Sequence, residues 1–129
     1  MSEMFFQELV LDHFKYPRNK KSIQSPTFSS LNSNPSCGDK ITFEGIIEDG
    51  ILKDVGFSGS GCVISQASAS LLAEKCVGKP INEILALSKD DITAMLNTPL
   101  GPNRLKCALL SLQALKQGIQ SFKDKNTQK

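Results

Sequence analysis

The fold is decided by the stretch KITFEGIIEDGILKDVGF, residues 40–57. Apolar residues alternate with other residues ahead of the pair Asp49-Gly50, and this alternation predicts a half-buried strand. An Asp-Gly pair between two such runs indicates a tight hairpin turn, and the residues after it continue a returning strand as far as Phe57. The sequence therefore predicts an antiparallel hairpin, preceded by a further short strand over residues 27–31.

Helical patterns lie on both sides of this hairpin. Apolar residues recur at helical spacing before Pro17, which predicts a first amphipathic helix. A helix rich in small residues is predicted over residues 63–76, directly after the hairpin. A further helix begins near Ser88, where Asp91 is placed for a capping box.

The last predicted helix is the longest one. Asn103 is its predicted cap, and leucines at helical spacing form its apolar face. The residues from 123 to 129 are polar, and we expect them to form a frayed tail. No internal repeat is visible, so residues 1–129 are predicted to form a single domain.

Composition narrows the classes of partner. The chain has 129 residues, 40% of them hydrophobic, a net charge of +2 and no Trp. Such a mild charge with few aromatic residues argues against a nucleic-acid partner. No apolar run is long enough to span a bilayer, and the first residues lack a secretory leader. We therefore expect no membrane partner and a cytoplasmic location, in which the four cysteines stay reduced.

Local context separates the cysteines from one another. Cys62 follows Gly61 at the predicted start of the small-residue helix, where the helix dipole favours a thiolate. Cys107 is predicted toward the edge of the apolar face of the last helix. Arg104 and Lys106 beside it add positive charge, which would lower the pKa of a thiol.

The remaining cysteines differ in a similar way. Cys37 is followed by Gly38 and Asp39, so a thiolate and a carboxylate could point toward one ion. Cys76 has no such neighbours and shares a helix face with Leu72, so we interpret it as a core residue.

Three thiols and one carboxylate form a complete ligand set for zinc or iron, and the thiols alone could carry sulfur. Spacing alone supports a metal site only weakly, because no C-x-x-C motif is present. Two rival hypotheses remain: a cysteine hydrolase with His13 as its base, and a structural zinc adaptor module. His13 lies on the apolar face of the first helix and is more typical of a core residue.

The whole chain resembles the U-type iron–sulfur cluster assembly proteins, the family of IscU, SufU and the N-terminal part of NifU. The motifs that carry the resemblance are Asp12-His13-Phe14 with Pro17-Arg18-Asn19, Asn34-Pro35-Ser36-Cys37-Gly38-Asp39, Gly61-Cys62 followed by Ile64-Ser65 and Ala67-Ser68-Ala69-Ser70, and Lys106-Cys107-Ala108. They occur in the family's order, and three of them contain a cysteine.

The resemblance implies an α+β fold of the SufE/NifU-like type, with a small antiparallel sheet of about three strands packed by helices. It implies that Cys37, Cys62 and Cys107 converge at one end of the molecule, with Asp39 as a fourth metal ligand. It also implies zinc in the resting state, or iron or a transient iron–sulfur cluster. The expected partners are a cysteine desulfurase, which delivers persulfide sulfur, and downstream assembly or acceptor proteins.

Lys106 bears on the branch of the family. Scaffold members carry a metal-binding histidine at this position, whereas Arg104-x-Lys106-Cys107 is similar to SufU, whose members bind zinc and accept sulfur. Cys107 is predicted to be the thiolate that attacks the desulfurase persulfide, because the positive charges of Arg104 and Lys106 would stabilise it. The distance along the chain from Cys62 to Cys107, however, is like that of the scaffold branch. A sulfurtransferase-like acceptor and a non-enzymatic cluster scaffold therefore both remain open.

Overall fold

The computed structural model describes residues 2–35, 38–96 and 100–127, in which the chain forms a three-stranded sheet and five helices. The elements in chain order are α1 (Ser2–Lys15), β1 (Phe28–Asn34), β2 (Asp39–Glu48), β3 (Ile51–Ser60), α2 (Val63–Cys76), α3 (Ile81–Leu85), α4 (Lys89–Leu96) and α5 (Pro102–Thr127). The α+β fold with a three-stranded antiparallel sheet is confirmed.

The sheet is an antiparallel meander in the order β1-β2-β3. The predicted hairpin joins β2 to β3, and its two turn residues, Asp49 and Gly50, have φ values of 55° and 74°. Positive φ at both positions is the property for which Asp-Gly is favoured in such turns. Phe43 pairs with Phe57 across the hairpin, and their ring centroids lie 6.0 Å apart. The weakly signalled first strand is also present as β1.

The helices bury one face of the sheet. Inward-facing residues of β2, such as Ile41 and Phe43, are fully buried, while Lys40 on the opposite face is exposed. They pack with Leu72 of α2 and Leu115 of α5 in one hydrophobic core. The alternation that predicted the strand therefore reflects one covered and one open face.

Small side chains let α2 lie inside the molecule. Most of its length is buried, including alanines and serines from Ser65 to Ala73. Ser70 joins α2 to α1, because its hydroxyl oxygen lies 2.8 Å from His13 Nδ1 and accepts a hydrogen bond of 2.8 Å from the backbone N–H of Arg18. The helix thus connects the first segment of the chain with the sheet.

The structure differs from the sequence predictions in one additional helix, α3, and at the two ends of α5. Helix α3 was not predicted, and its first residue, Ile81, donates a backbone hydrogen bond to Gly50 in the hairpin turn. The predicted cap at Asn103 is wrong, because α5 begins at Pro102 and the Gly101 carbonyl accepts the first helical bond. Helix α5 continues through Thr127, into the tail that we expect to fray.

Two further expectations concern α4 and membranes. The carboxylate of Asp91 accepts a 2.7 Å hydrogen bond from the backbone N–H of Ser88, so the predicted capping interaction of α4 is confirmed. This contact also lowers the pKa of Asp91. Within the described part of the chain, none of the helices has the length and apolar character needed to cross a membrane.

Candidate metal centre

Cys62 occupies the N-cap of α2, as its sequence context predicts. Its backbone is extended, with φ −73° and ψ 165°, and its side chain lies at the surface. The N–H of Cys62 donates a 2.8 Å hydrogen bond to Oδ1 of Asp39. The helix start and the start of β2 are therefore joined directly at this cysteine.

Asp39 is the first residue of β2, and it is fully buried. A buried carboxylate is unfavourable unless hydrogen bonds or charges compensate for lost water. Oδ1 receives that compensation from Cys62 N–H, while Oδ2 lies 3.4 Å from Cys62 Sγ. One carboxylate oxygen thus holds the backbone of Cys62, and the other faces its sulfur.

Gly61 makes this close approach possible. A Cβ atom on Gly61 would lie only 2.1 Å from Asp39 Oδ1, and the residue has φ +136°. Both observations require glycine, because a side chain would collide with the carboxylate and disfavour this backbone conformation. Glycine at position 61 therefore allows the Asp39 carboxylate to reach the N–H of Cys62.

Cys107 reaches the same place from the second turn of α5. Ligand atoms of Asp39, Cys62 and Cys107 all lie within 4.8 Å of one another. Cys107 is only 7% exposed, so it lies deeper than its predicted position at the edge of the apolar face. Arg104 and Lys106, which precede it in the sequence, have exposed side chains.

The structure therefore brings together three of the four predicted metal ligands. Cys37 lies outside the described residues, and its predicted role stays a prediction. Its neighbour Gly38 is described: it has φ +75° and donates a backbone hydrogen bond to the Asn34 carbonyl. This turn leads directly into Asp39 and the start of β2.

The donor set fits a thiophilic ion such as Zn²⁺. Zn–S and Zn–O bonds of about 2.3 and 2.1 Å at a tetrahedral angle separate sulfur and oxygen by roughly 3.6 Å. The observed separation between Cys62 Sγ and Asp39 Oδ2 is 3.4 Å. Two thiols and a carboxylate supply three ligands, and a fourth completes the preferred coordination number.

Comparison with known proteins agrees with the fold. The sequence matches the family model of the NifU-like N-terminal domain over residues 5–129. The chain belongs to this family.

Curated relatives of this NifU-like domain carry two kinds of name. One is the zinc-dependent sulfurtransferase SufU of Bacillus subtilis, 34% identical, with 91% of this chain and 90% of the relative covered. Another is the iron–sulfur cluster assembly scaffold protein IscU of Thermotoga maritima, 33% identical, with coverage of 93% and 96%. IscU of Escherichia coli K12 is also 33% identical, and the match covers 98% of this chain and all of that protein.

Solved structures show the same architecture. A candidate iron–sulfur cluster assembly scaffold protein for the SUF system from Fervidobacterium islandicum AW-1 superposes with a TM-score of 0.77 at 25% identity. The superposition covers 92% of this chain and 99% of that one. The similarity thus extends over nearly the whole domain.

Ser65 belongs to the site of this NifU-like domain, although sequence reasoning assigned it no role. It lies three residues after Cys62 and is fully buried. Its hydroxyl donates a 3.0 Å hydrogen bond to the Cys62 carbonyl. Ser65 Oγ also lies 3.8 Å from Cys62 Sγ, as a second acceptor for the thiol beside Asp39 Oδ2. The available signal was its spacing, because the third residue after an N-cap lies beside the cap.

Cys76 and His13 take no part in this cluster. Cys76 ends α2, is fully buried, and has a pKa raised to about 12 because burial penalises its thiolate. His13 of α1 is buried, and its Nδ1 lies beside the Ser70 hydroxyl of α2. Burial lowers the pKa of His13. Cys76 is a core residue as predicted, and the contacts of His13 fit a core histidine better than the base of a cysteine hydrolase.

Proposed function

We propose that this NifU-like domain works in iron–sulfur cluster assembly as a zinc-binding protein that accepts persulfide sulfur and passes it on. The proposed ligands are Cys37, Asp39, Cys62 and Cys107. The observation that carries the proposal is the convergence of Asp39, Cys62 and Cys107 within 4.8 Å. The names of the SufU and IscU relatives support it.

The surroundings of the ligands suit zinc in the resting state. Bound zinc would hold the thiols of Cys62 and Cys107 as thiolates and tie the start of β2 to the starts of α2 and α5. Asp39 is already held for ligation, because Cys62 N–H fixes Oδ1 and leaves Oδ2 on the side of the sulfur. The exposed side chain of Lys106 serves as a positive charge, since a protonated amine has no free electron pair for a metal.

Sulfur acceptance requires one thiolate of this site to attack a persulfide on a cysteine desulfurase. The thiolate forms a bond to the outer sulfur, the desulfurase S–S bond breaks, and the desulfurase cysteine leaves as a thiolate. No net oxidation occurs, because one persulfide replaces another. We propose Cys107 as the attacking residue, with Arg104 and Lys106 stabilising negative charge as the partner approaches.

Cys62 is a second candidate for the attacking sulfur. It lies at the surface, whereas Cys107 is almost fully buried. A desulfurase could therefore reach Cys62 without movement of α5. Mass spectrometry after a single turnover would distinguish the two, because the extra mass of 32 Da expected for one added sulfur atom would lie on the peptide of Cys62 or on that of Cys107.

A scaffold that builds a cluster and transfers it to apo-proteins is the alternative function. The full-length match to IscU of Escherichia coli favours it. In this case iron and sulfide are the cargo, held by the same thiolates and carboxylate. The alternative differs from the first proposal in what is bound during turnover, since both use the same residues.

The test is anaerobic incubation with a cognate cysteine desulfurase, cysteine and ferrous iron. Our proposal predicts retained zinc, a persulfide on this chain and no visible cluster chromophore. Visible absorption that grows as zinc is lost would identify the scaffold instead. A structural zinc adaptor would unfold on chelation and take up no sulfur, whereas we expect a folded, persulfidated chain.

We propose the cytoplasm as the place of action, because the thiols must stay reduced to bind metal and to accept sulfur. The proposed partners are a cysteine desulfurase and downstream acceptor or assembly proteins. In the test above, a matched control is the variant Cys76→Ala. We expect it to accept sulfur normally, because Cys76 is buried at the far end of α2.

A further inference from the structure

The sulfur of Cys62 has two polar neighbours of different character. Asp39 Oδ2 lies 3.4 Å from Cys62 Sγ, and Ser65 Oγ lies 3.8 Å from it. An ionised carboxylate only accepts hydrogen bonds, whereas a hydroxyl both donates and accepts. Of these two neighbours, Ser65 is therefore the one that can donate to a Cys62 thiolate.

The hydroxyl of Ser65 has one proton, which the structure directs to the carbonyl of Cys62 over 3.0 Å. The Cys62 thiol also has one proton, and its two acceptors are Asp39 Oδ2 at 3.4 Å and Ser65 Oγ at 3.8 Å. A metal-bound Cys62 thiolate can only accept, so of the two contacts the one with Ser65 Oγ is able to become a hydrogen bond to sulfur. Rotation about the Cβ–Oγ bond of Ser65 would then point its proton toward the sulfur, with no movement of heavy atoms.

The burial of Ser65 favours a hydrogen bond from its hydroxyl to the Cys62 sulfur. Ser65 is fully buried, so water does not compete readily for its hydroxyl. Outer-shell groups that hydrogen-bond to a metal ligand commonly fix its orientation and tune its affinity. The first turn of α2 holds Ser65 and Cys62 in fixed relation, since Gln66 N–H donates to the Cys62 carbonyl over 3.2 Å.

We infer that Ser65 is a positioning residue for Cys62, whose hydroxyl turns from the Cys62 carbonyl to Cys62 Sγ when the cysteine binds metal as a thiolate. The inference rests on the proposed metal site and adds a residue to it. Ser65 would hold the sulfur where the structure has it, 3.4 Å from Asp39 Oδ2, which is a separation suited to one ion.

The experiment measures affinity for zinc and cobalt by competition with a chromophoric chelator. It compares the wild-type chain with the variants Ser65→Ala and Ser68→Ala. Ser68 is the matched control, because it is also fully buried on α2 and its hydroxyl has no hydrogen-bond partner among the described residues. We expect Ser65→Ala to weaken metal binding about 10-fold and Ser68→Ala to leave it unchanged.

A second pair of variants tests whether Ser65 acts through Cys62. In a Cys62→Ala chain, the further change Ser65→Ala should have no effect on affinity for cobalt. The variant Ser65→Thr retains a hydroxyl, and it should keep the wild-type sulfur-to-cobalt absorption band that Ser65→Ala shifts. Thermal unfolding of each metal-free variant separates loss of fold from loss of affinity.

Each outcome has a distinct meaning. Equal affinity of the Ser65→Ala and wild-type chains would overturn the inference and leave the metal site intact. A loss of affinity that persists in the Cys62→Ala chain would overturn it too, because Ser65 would then act on stability alone. If the wild-type chain bound neither zinc nor cobalt, the proposed function itself would fail.

Discussion

The two ends of helix α2 carry cysteines of opposite character. Cys62 caps the start of the helix at the surface, where it contacts Asp39 and Ser65. Cys76 ends the same helix inside the hydrophobic core. One helix thus presents one thiol to polar ligands and buries the other among apolar side chains. Position relative to the helix start and the sheet, rather than residue type, determines what each thiol can do.

The largest expected difference is in alkylation. At pH 8, a pKa of about 12 leaves roughly one Cys76 thiol in 10⁴ ionised. In a metal-free chain with Cys37→Ser and Cys107→Ser, we expect iodoacetamide to modify Cys62 at least about 10³-fold faster than Cys76. Peptide mass spectrometry over time provides the rates. Similar rates for the two thiols would contradict the difference in character that we describe for Cys62 and Cys76.

Of the two ends of α2, only the Cys62 end should affect the affinity for metal. The variant Asp39→Asn keeps an oxygen for Cys62 N–H but loses the charge that faces the sulfur. We expect zinc affinity to fall at least about 10- to 100-fold, because losing a ligand costs no less than losing an outer-shell partner. Chelator competition measures the change.

Asp54→Asn is the matched control for this prediction. The Asp54 carboxylate also accepts a backbone N–H, from Val55, but it lies at the surface beside Lys21. Zinc affinity should be unchanged in this variant. An equal loss in both variants would show that Asp39 is not a ligand.

The free energy of unfolding of the metal-free chain should instead depend mainly on the Cys76 end of α2. In the metal-free chain, Cys76→Ser places a hydroxyl in an apolar site, and we expect a loss of about 1–3 kcal/mol in the free energy of unfolding. Cys62→Ser at the surface should change this free energy by no more than about 0.5 kcal/mol. Urea unfolding measures both, and a larger loss at Cys62 would contradict our description of the helix.

The smallest expected effect concerns His13, which contacts the middle of α2. Burial lowers the pKa of His13 from 6.5 in the folded state, so the unfolded chain binds the proton more readily. Stability is then complete above about pH 6.5 and is lost as the pH falls from there through the folded-state pKa. Arg18 also lowers this pKa, while Glu74 and Asp12 oppose the shift.

Metal-free protein is the sample for this measurement. Urea unfolding between pH 7.5 and pH 5.5 should give a free energy of unfolding that becomes smaller as the pH falls. The variant His13→Gln should flatten the profile. A profile that is equally steep in the variant would assign the pH dependence to other groups.

Local signals explain how much of this fold could be predicted. Alternation, the pair Asp49-Gly50 and the Gly61-Cys62 step each act over a few residues, and all three appear where the sequence places them. Helix α3 was missed because it has five residues and is held by a contact between Ile81 and the distant hairpin turn.

The site was predictable in its composition but not in its contacts. Cysteine and aspartate contexts indicated the ligands, whereas the role of Ser65 depends on which way one hydroxyl points. The burial of Cys107 was also missed, since the exposure of a helix face depends on the elements that cover it. Such contacts arise from tertiary packing, and the pattern of one segment does not contain them.

The central claim is that the Cys62 end of α2 belongs to a zinc site that combines sulfur with the oxygen of Asp39. X-ray absorption at the zinc edge, on the zinc-loaded wild-type chain, tests this claim most directly. We predict three sulfur neighbours at about 2.3 Å and one oxygen at about 2.0–2.2 Å. Asp39→Asn should alter the oxygen contribution, and Cys76→Ala should leave the spectrum unchanged. A first shell without sulfur, or one that Cys62→Ala leaves intact, would contradict the claim.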